Sequence, residues 1–254
     1  LSAAAPLPAR ADSAPMFDSL AFFVASGALY LALPGMVWAL LHRRYDPLHV
    51  GLWCTGGLLM AGGLILYGLR VQVGSHLSVY VANAALLLSA GLQVIVLRRE
   101  AQQPGRVLPV LGVCAIAVLL LVLAEARFGE PTRQAVANLL LGLFSLTQAQ
   151  SARQLARLRG SRAAWLMALL YALMGLALLL RFGLRAAGLA SGPIFLPDAL
   201  FIVTVLLSLG AALAANVGFL GLALDRARAL ELQQRAALQA MHEQQVVMET
   251  AARA

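Results

Sequence analysis

The sequence predicts an all-α polytopic membrane protein of seven transmembrane helices, the last continuous with a coiled-coil-like cytoplasmic helix. Three observations predict it. Hydrophobic residues make up 61% of the chain and charged residues 12%, with a mean hydropathy of +0.82, whereas ordinary soluble domains carry about 25% charged residues. The apolar residues gather in stretches of about 20, the length that crosses about 30 Å of hydrocarbon, and arginines punctuate the ends. The final stretch passes without Gly or Pro after Gly221 into a polar segment of Ala, Leu, Glu, Gln and Arg, all strong helix formers.

In chain order, Leu1 to Pro15 is Ala/Pro/Ser-rich without an apolar run and reads as a disordered tail. The membrane domain then covers residues 16–225 and the signalling helix residues 226–254. Span one, Phe17 to Leu41, contains Pro34-Gly35, a kink site because proline removes a backbone donor. Span two, Leu48 to Leu69, is rich in glycine, which lets helices approach closely. Span three runs from Leu77 to Leu97 and stops at Arg98-Arg99, and span four from Val107 to Ala126. Span five, Gln134 to Gln150, is the shortest and most polar, followed by Arg153, Arg157, Arg159 and Arg162. Span six covers Ala163 to Leu184, and a loop with Gly188, Gly192, Pro193 and Pro197 leads to span seven, Ala199 to Leu224. At about 1.5 Å per residue, the helix beyond Arg226 reaches roughly 40 Å into solution. It carries no helix-stop signal, which leads to the expectation of an output domain joined to it.

Arginine supplies the whole formal charge of +8, as the chain has no lysine. A retinal Schiff base, which needs a lysine amine, is thereby excluded. Placing the loops after spans one, three, five and seven inside collects Arg43, Arg44, Arg98, Arg99, Arg106, Arg153, Arg157, Arg159, Arg162, Arg226 and Arg228 there. Arg10, Arg70, Arg127, Arg133, Arg181 and Arg185 remain outside. The positive-inside rule then sets the N-terminus outside and the C-terminal helix in the cytosol. The arginines lie at helix ends and form no aromatic-interleaved patch, so a nucleic-acid partner is not expected. The lipid bilayer is. A short repeat also appears: Val81-Ala82-Asn83 precedes Gln93 as Val136-Ala137-Asn138 precedes Gln148, as though two-helix hairpins recur.

Few residues offer chemistry. Asn83 and Asn138, at membrane depth, must hydrogen-bond to other helices or line a ligand cavity. Arg70, Arg127 and Arg181 close the three outward-running spans, and they could converge on an anionic ligand, pair with Glu125, or snorkel separately to headgroups. His42, His49 and His76 lie near span ends, as interfacial histidines rather than the facing pair of a haem site. His242-Glu243 lacks the second histidine of a zinc protease helix, Val246 standing in its place. Cys54 and Cys114 fall in apolar stretches and read as reduced thiols. Neither a metal site nor another cofactor site is expected, and no catalytic motif is present. Beyond the membrane, a heptad frame puts Ala227, Gln234, Met241 and Met248 at one seam position and Leu230, Ala237 and Gln244 at the other. That seam is apolar but interrupted by glutamine, so it should pair weakly in a parallel homodimer and tolerate shifts of register.

The spans Trp53 to Arg70 and Leu77 to Arg99, with Leu77-Ser78-Val79-Tyr80-Val81-Ala82-Asn83 opening the latter, resemble the N-terminal seven-helix sensor region of proteobacterial membrane histidine kinases and related diguanylate cyclases. The exit from Gly218-Phe219-Leu220 through Arg226 to Met248-Glu249 is similar to the helix that precedes the dimerisation and phosphoacceptor domain of such kinases. The resemblance implies an inner-membrane receptor that feeds a cytoplasmic output domain and, through it, a response regulator. It carries over no catalytic residue, since the phosphoacceptor box is absent around His242, where Gln245 and Val246 follow. A small transporter and a non-enzymatic scaffold are the competing classes, but a transporter would place charges at the midplane and these lie at span ends.

Overall fold

The computed structural model describes residues 19–43, 45–73, 75–189 and 199–253. The N-terminal tail with Arg10, Arg44, and the loop holding Gly192, Pro193 and Pro197 lie outside them. Among the described residues every regular element is a helix: α1 (Ser19–Leu41), α2 (Pro47–Gly68), the short α3 (Arg70–Val73), α4 (Ser75–Glu100), α5 (Val107–Phe128), α6 (Glu130–Arg159), α7 (Arg162–Ala186) and α8 (Ala199–Arg253). Six of these, α1, α2, α4, α5, α7 and α8, are long and apolar enough to cross a membrane. The protein is a polytopic helical membrane protein.

Local chemistry sets the helix boundaries. Asp46 caps α2, its carboxylate accepting from the Leu48 N–H at 2.9 Å, with Pro47 at a position where no amide donor is needed. Gly160 ends α6 in the left-handed region at φ 64°, and Ser161 then caps α7. Gly129, at φ 82°, makes the tight turn from α5 into α6.

The helices close into a ring. α1 packs on α2, α2 on α4, α4 on α6, α6 on α7, α7 on α8, and α8 back on α1, while α5 touches only α4 and α6 from outside. This ordering overturns the reading of the fifth span as the shortest. α6 has 30 residues and is a full member of the ring, antiparallel to α7 along its length. Arg185 donates to Gln134 at 2.7 Å at one end. Gly142 and Gly175 face each other midway, and Ala152 and Ala156 share a buried cluster with Ala164 and Ala168 at the other end. The polarity that made α6 look weak faces the bundle, where lipid never meets it: Arg133, Ser145, Gln148 and Ser151 are all buried. The most apolar helix, α5, is the peripheral one, with 22% of its apolar stretch buried against 72% for α4.

Close approaches hold the ring. A side chain at Gly57 would collide with the Pro34 ring, so proline at the expected kink site serves as a packing surface inside an uninterrupted α1. Gly91 likewise admits Cys114 and Val110 of α5, each 2.9 Å from where a Cβ would stand. Both cysteines are free and buried.

Candidate functional site

The ring has two polar ends and a polar belt. At the end where α8 leaves the bundle, the Glu100 side chain is fully enclosed, although sequence reasoning passed over it. Four groups from four other parts of the chain surround it. Tyr45, in the turn between α1 and α2, donates to Oε1 at 2.5 Å. Arg159 of α6 donates through Nη2 to Oε2 and to the Glu100 carbonyl, both at 2.9 Å. His49 of α2 brings Nδ1 within 2.9 Å of Oε1. Arg226 of α8 lies 3.9 Å from Oε1, donates to the Tyr45 hydroxyl at 3.4 Å, and stacks its guanidinium over the Tyr45 ring at 5.4 Å. Burial, reinforced by Glu100, pushes the Tyr45 hydroxyl up to about 12. It therefore stays a donor at any physiological pH.

This arrangement corrects the reading of His49 as a merely interfacial histidine, since its side chain is 12% exposed and faces a carboxylate. His42, by contrast, stacks on Trp38 and bonds its own helix at the Trp38 carbonyl. The side chain of His76 is outside the described residues. What could have found the Glu100 cluster in the sequence is its isolation: it is a lone acid directly after Arg98-Arg99 at the end of α4, ahead of a loop whose one charge is Arg106.

One helical layer deeper, α8 is pinned to α2 by side chains alone. Trp53 stacks on Phe219 with centroids 4.6 Å apart and planes 5° from parallel, and its indole donates to Asn216 at 3.1 Å. Deeper still, Gln93 of α4 accepts from Gln148 of α6 at 2.8 Å and from the Tyr171 hydroxyl of α7 at 3.0 Å. Gln93 and Gln148 are the matched glutamines of the sequence repeat. The repeat spacing of 55 is the register in which two parallel helices meet.

The predicted ligand residues divide. Asn83 is buried, accepts from the Tyr67 hydroxyl at 2.7 Å and donates to the Val79 carbonyl, which makes it structural glue. Asn138 is half-buried. Arg181 is buried, Arg70 is half-buried with one donor on the Tyr67 carbonyl at 2.9 Å, and Arg127 is exposed. Arg127 thus leaves the expected trio because α5 stands outside the ring. The arginine that pairs with Glu125 is instead the buried Arg133, at 3.0 Å. The seam residues Ala227, Leu230, Gln234, Ala237, Met241, Gln244 and Met248 are all exposed. No family model, curated protein or solved structure matches this chain.

Proposed function

We propose that this chain is the membrane input module of a bacterial sensor histidine kinase, or of a diguanylate cyclase sharing the same module. It is set in the inner membrane with the N-terminus periplasmic and the α8 extension cytoplasmic. The observation that carries the reading is the union of α8 with the Glu100 cluster. A single 55-residue helix belongs to the ring at one end and is free of it at the other, every residue from Leu224 to Gln244 being exposed. At the transition, Arg226 meets the Glu100 carboxylate of α4 and the hydroxyl of Tyr45 in the α1–α2 turn, which bond each other, while Glu100 also accepts from Arg159 of α6. A rearrangement of the ring changes the seat of Arg226 and so turns or shifts the exposed rod. Packed interfaces of this kind switch between discrete arrangements and do not deform continuously, as a two-state relay requires. The arginine asymmetry supports the orientation.

In this reading two copies pair in parallel through the weak seam, and the rod passes a small rotation or piston shift to a cytoplasmic output domain that acts on a response regulator. Single cysteines at Leu230, Ala237 and Met241, and at the off-seam Glu231, test it by oxidative crosslinking in native membranes. Strong crosslinking at the first three and weak crosslinking at Glu231 is expected. A uniform yield at all four, or none, refutes the paired rod.

A further inference from the structure

The Gln93–Gln148–Tyr171 network is incomplete on one side. The two amides together offer four N–H donors and two carbonyl acceptors, yet their mutual bond and the Tyr171 hydroxyl engage only one N–H and one oxygen. Among the described residues, the bonds formed by these two amides are the Gln148 Nε2 donation and the Tyr171 donation, both to Gln93 Oε1, so Gln93 Nε2 and Gln148 Oε1 are left to meet whatever lies beside them. Gln93, Gln148 and Tyr171 are buried at 7%, 3% and 6% exposed, and neither Gln93 Nε2 nor Gln148 Oε1 is among the fully enclosed polar atoms that lack a partner, as expected of groups that border open space. A polar group facing such a space is best satisfied by a ligand atom that can donate or accept there. These side chains border a cavity of about 140 Å³ at the centre of the ring, to which all six ring helices contribute.

The remaining lining defines what would fit. Its other polar groups are already matched: the Tyr30 hydroxyl bonds Ser208 at 2.8 Å, and Trp53 and Asn216 bond each other. The rest is apolar, with Met60, Leu64, Leu86, Leu141, Met174 and Leu178 as the large members, and among the described residues no charged one borders the space. An ion would have no counter-charge there, and burying an unpaired charge costs far more than a site of this size returns. An engineered cavity of about 150 Å³ accommodates benzene. An apolar body of one six-membered ring is thus the size that fits. One wall is α8 itself, through Ser208, Ala211, Ala212 and Asn216.

We propose that this cavity binds a small, uncharged, lipid-soluble molecule with an apolar body about the size of a six-membered ring. Its single hydroxyl or primary amide accepts from Gln93 Nε2 and donates to Gln148 Oε1. Binding stands independently of the sensor reading. Only the step from a filled cavity to a moved α8 rests on that reading.

The test uses the full chain in lipid nanodiscs with para-fluorophenol as the probe, followed by fluorine NMR, and empty nanodiscs as the control for partition into lipid. Expected is a saturable signal absent from empty nanodiscs. Phenol should displace it at a concentration at least about tenfold lower than toluene, a difference of about 1.4 kcal/mol for the hydroxyl. Gln93→Leu and Gln148→Leu should each weaken the probe about tenfold or more while leaving toluene binding in place. Ala212→Leu, which fills the space, should abolish both. A signal no different from empty nanodiscs overturns the proposal, because the cavity then holds water alone. Equal displacement by phenol and toluene overturns it as well, and needs no variant to fold. Rod crosslinking at Ala237 with and without the probe separates the two ideas: saturable binding with an unchanged crosslink leaves the site standing and removes the relay.

Discussion

A carboxylate with no accessible surface must be paired, and Glu100 is paired more heavily than any other acid among the described residues. Glu100→Leu takes the acceptor from Tyr45 and Arg159 and should cost about 1.5 to 3 kcal/mol, the scale of hydrogen bonds to a charged group, because Arg159 at 28% exposed still reaches water. Glu100→Gln keeps an acceptor for Tyr45 and should cost visibly less. Denaturant titration of the purified chain in detergent micelles measures both. Tyr45→Phe removes a hydrogen bond to a charged group and should cost about 1.5 to 3 kcal/mol in the same assay. Its pH dependence has a definite sign. The Tyr45 hydroxyl is raised from the ordinary 10.0 to about 12 in the folded chain, so its contribution is complete below pH 10 and declines as pH rises toward 12. An alkaline titration of stability should therefore lose part of its fall in Tyr45→Phe. Glu100 was legible in the sequence only as an acid among arginines, because nothing local says which turn of α2 or α6 will face it.

Helices locate themselves by what surrounds each face. The glycines of α2 illustrate this: a Cβ at Gly57 meets the Pro34 ring, whereas one at Gly62 meets nothing within 4 Å. Gly57→Ala should destabilise by about 1 to 3 kcal/mol through overpacking. Gly62→Ala should be neutral or slightly stabilising by helix propensity. Thermal unfolding of the two variants side by side checks the contrast. At the same scale, the roles of α5 and α6 reverse the expectation from hydropathy. Average apolarity reports how much lipid a helix touches, so the peripheral α5 scores highest and the ring member α6 lowest. The repeat in α4 and α6 was legible as a spacing. Its meaning, two parallel helices whose glutamines bond across the ring, came only with the fold.

At the scale of the whole molecule, the ring puts Arg43, Arg98, Arg99, Arg159 and Arg226 at the end where α8 leaves and Arg70, Arg133, Arg181 and Arg185 toward the other, as alternate turns of a membrane bundle must. Topology reporters fused after Arg106 and after Arg162 should both read cytoplasmic, and a periplasmic signal from either would reject the proposed orientation. The sequence by itself determined the class, the positions of the helices and the change of α8 from an apolar stretch to a polar, exposed one. Those features depend on local composition and on the thickness of hydrocarbon, which is the same for every helix. Only the tertiary structure decided that α5 is excluded from the ring, that Glu100 collects Tyr45, His49, Arg159 and Arg226, and that a cavity opens beside Gln93 and Gln148. These are pairings between residues distant in the chain. In an apolar sequence many helix faces look alike, and the choice among them falls to glycine contacts and a few buried hydrogen bonds whose partners no local pattern names.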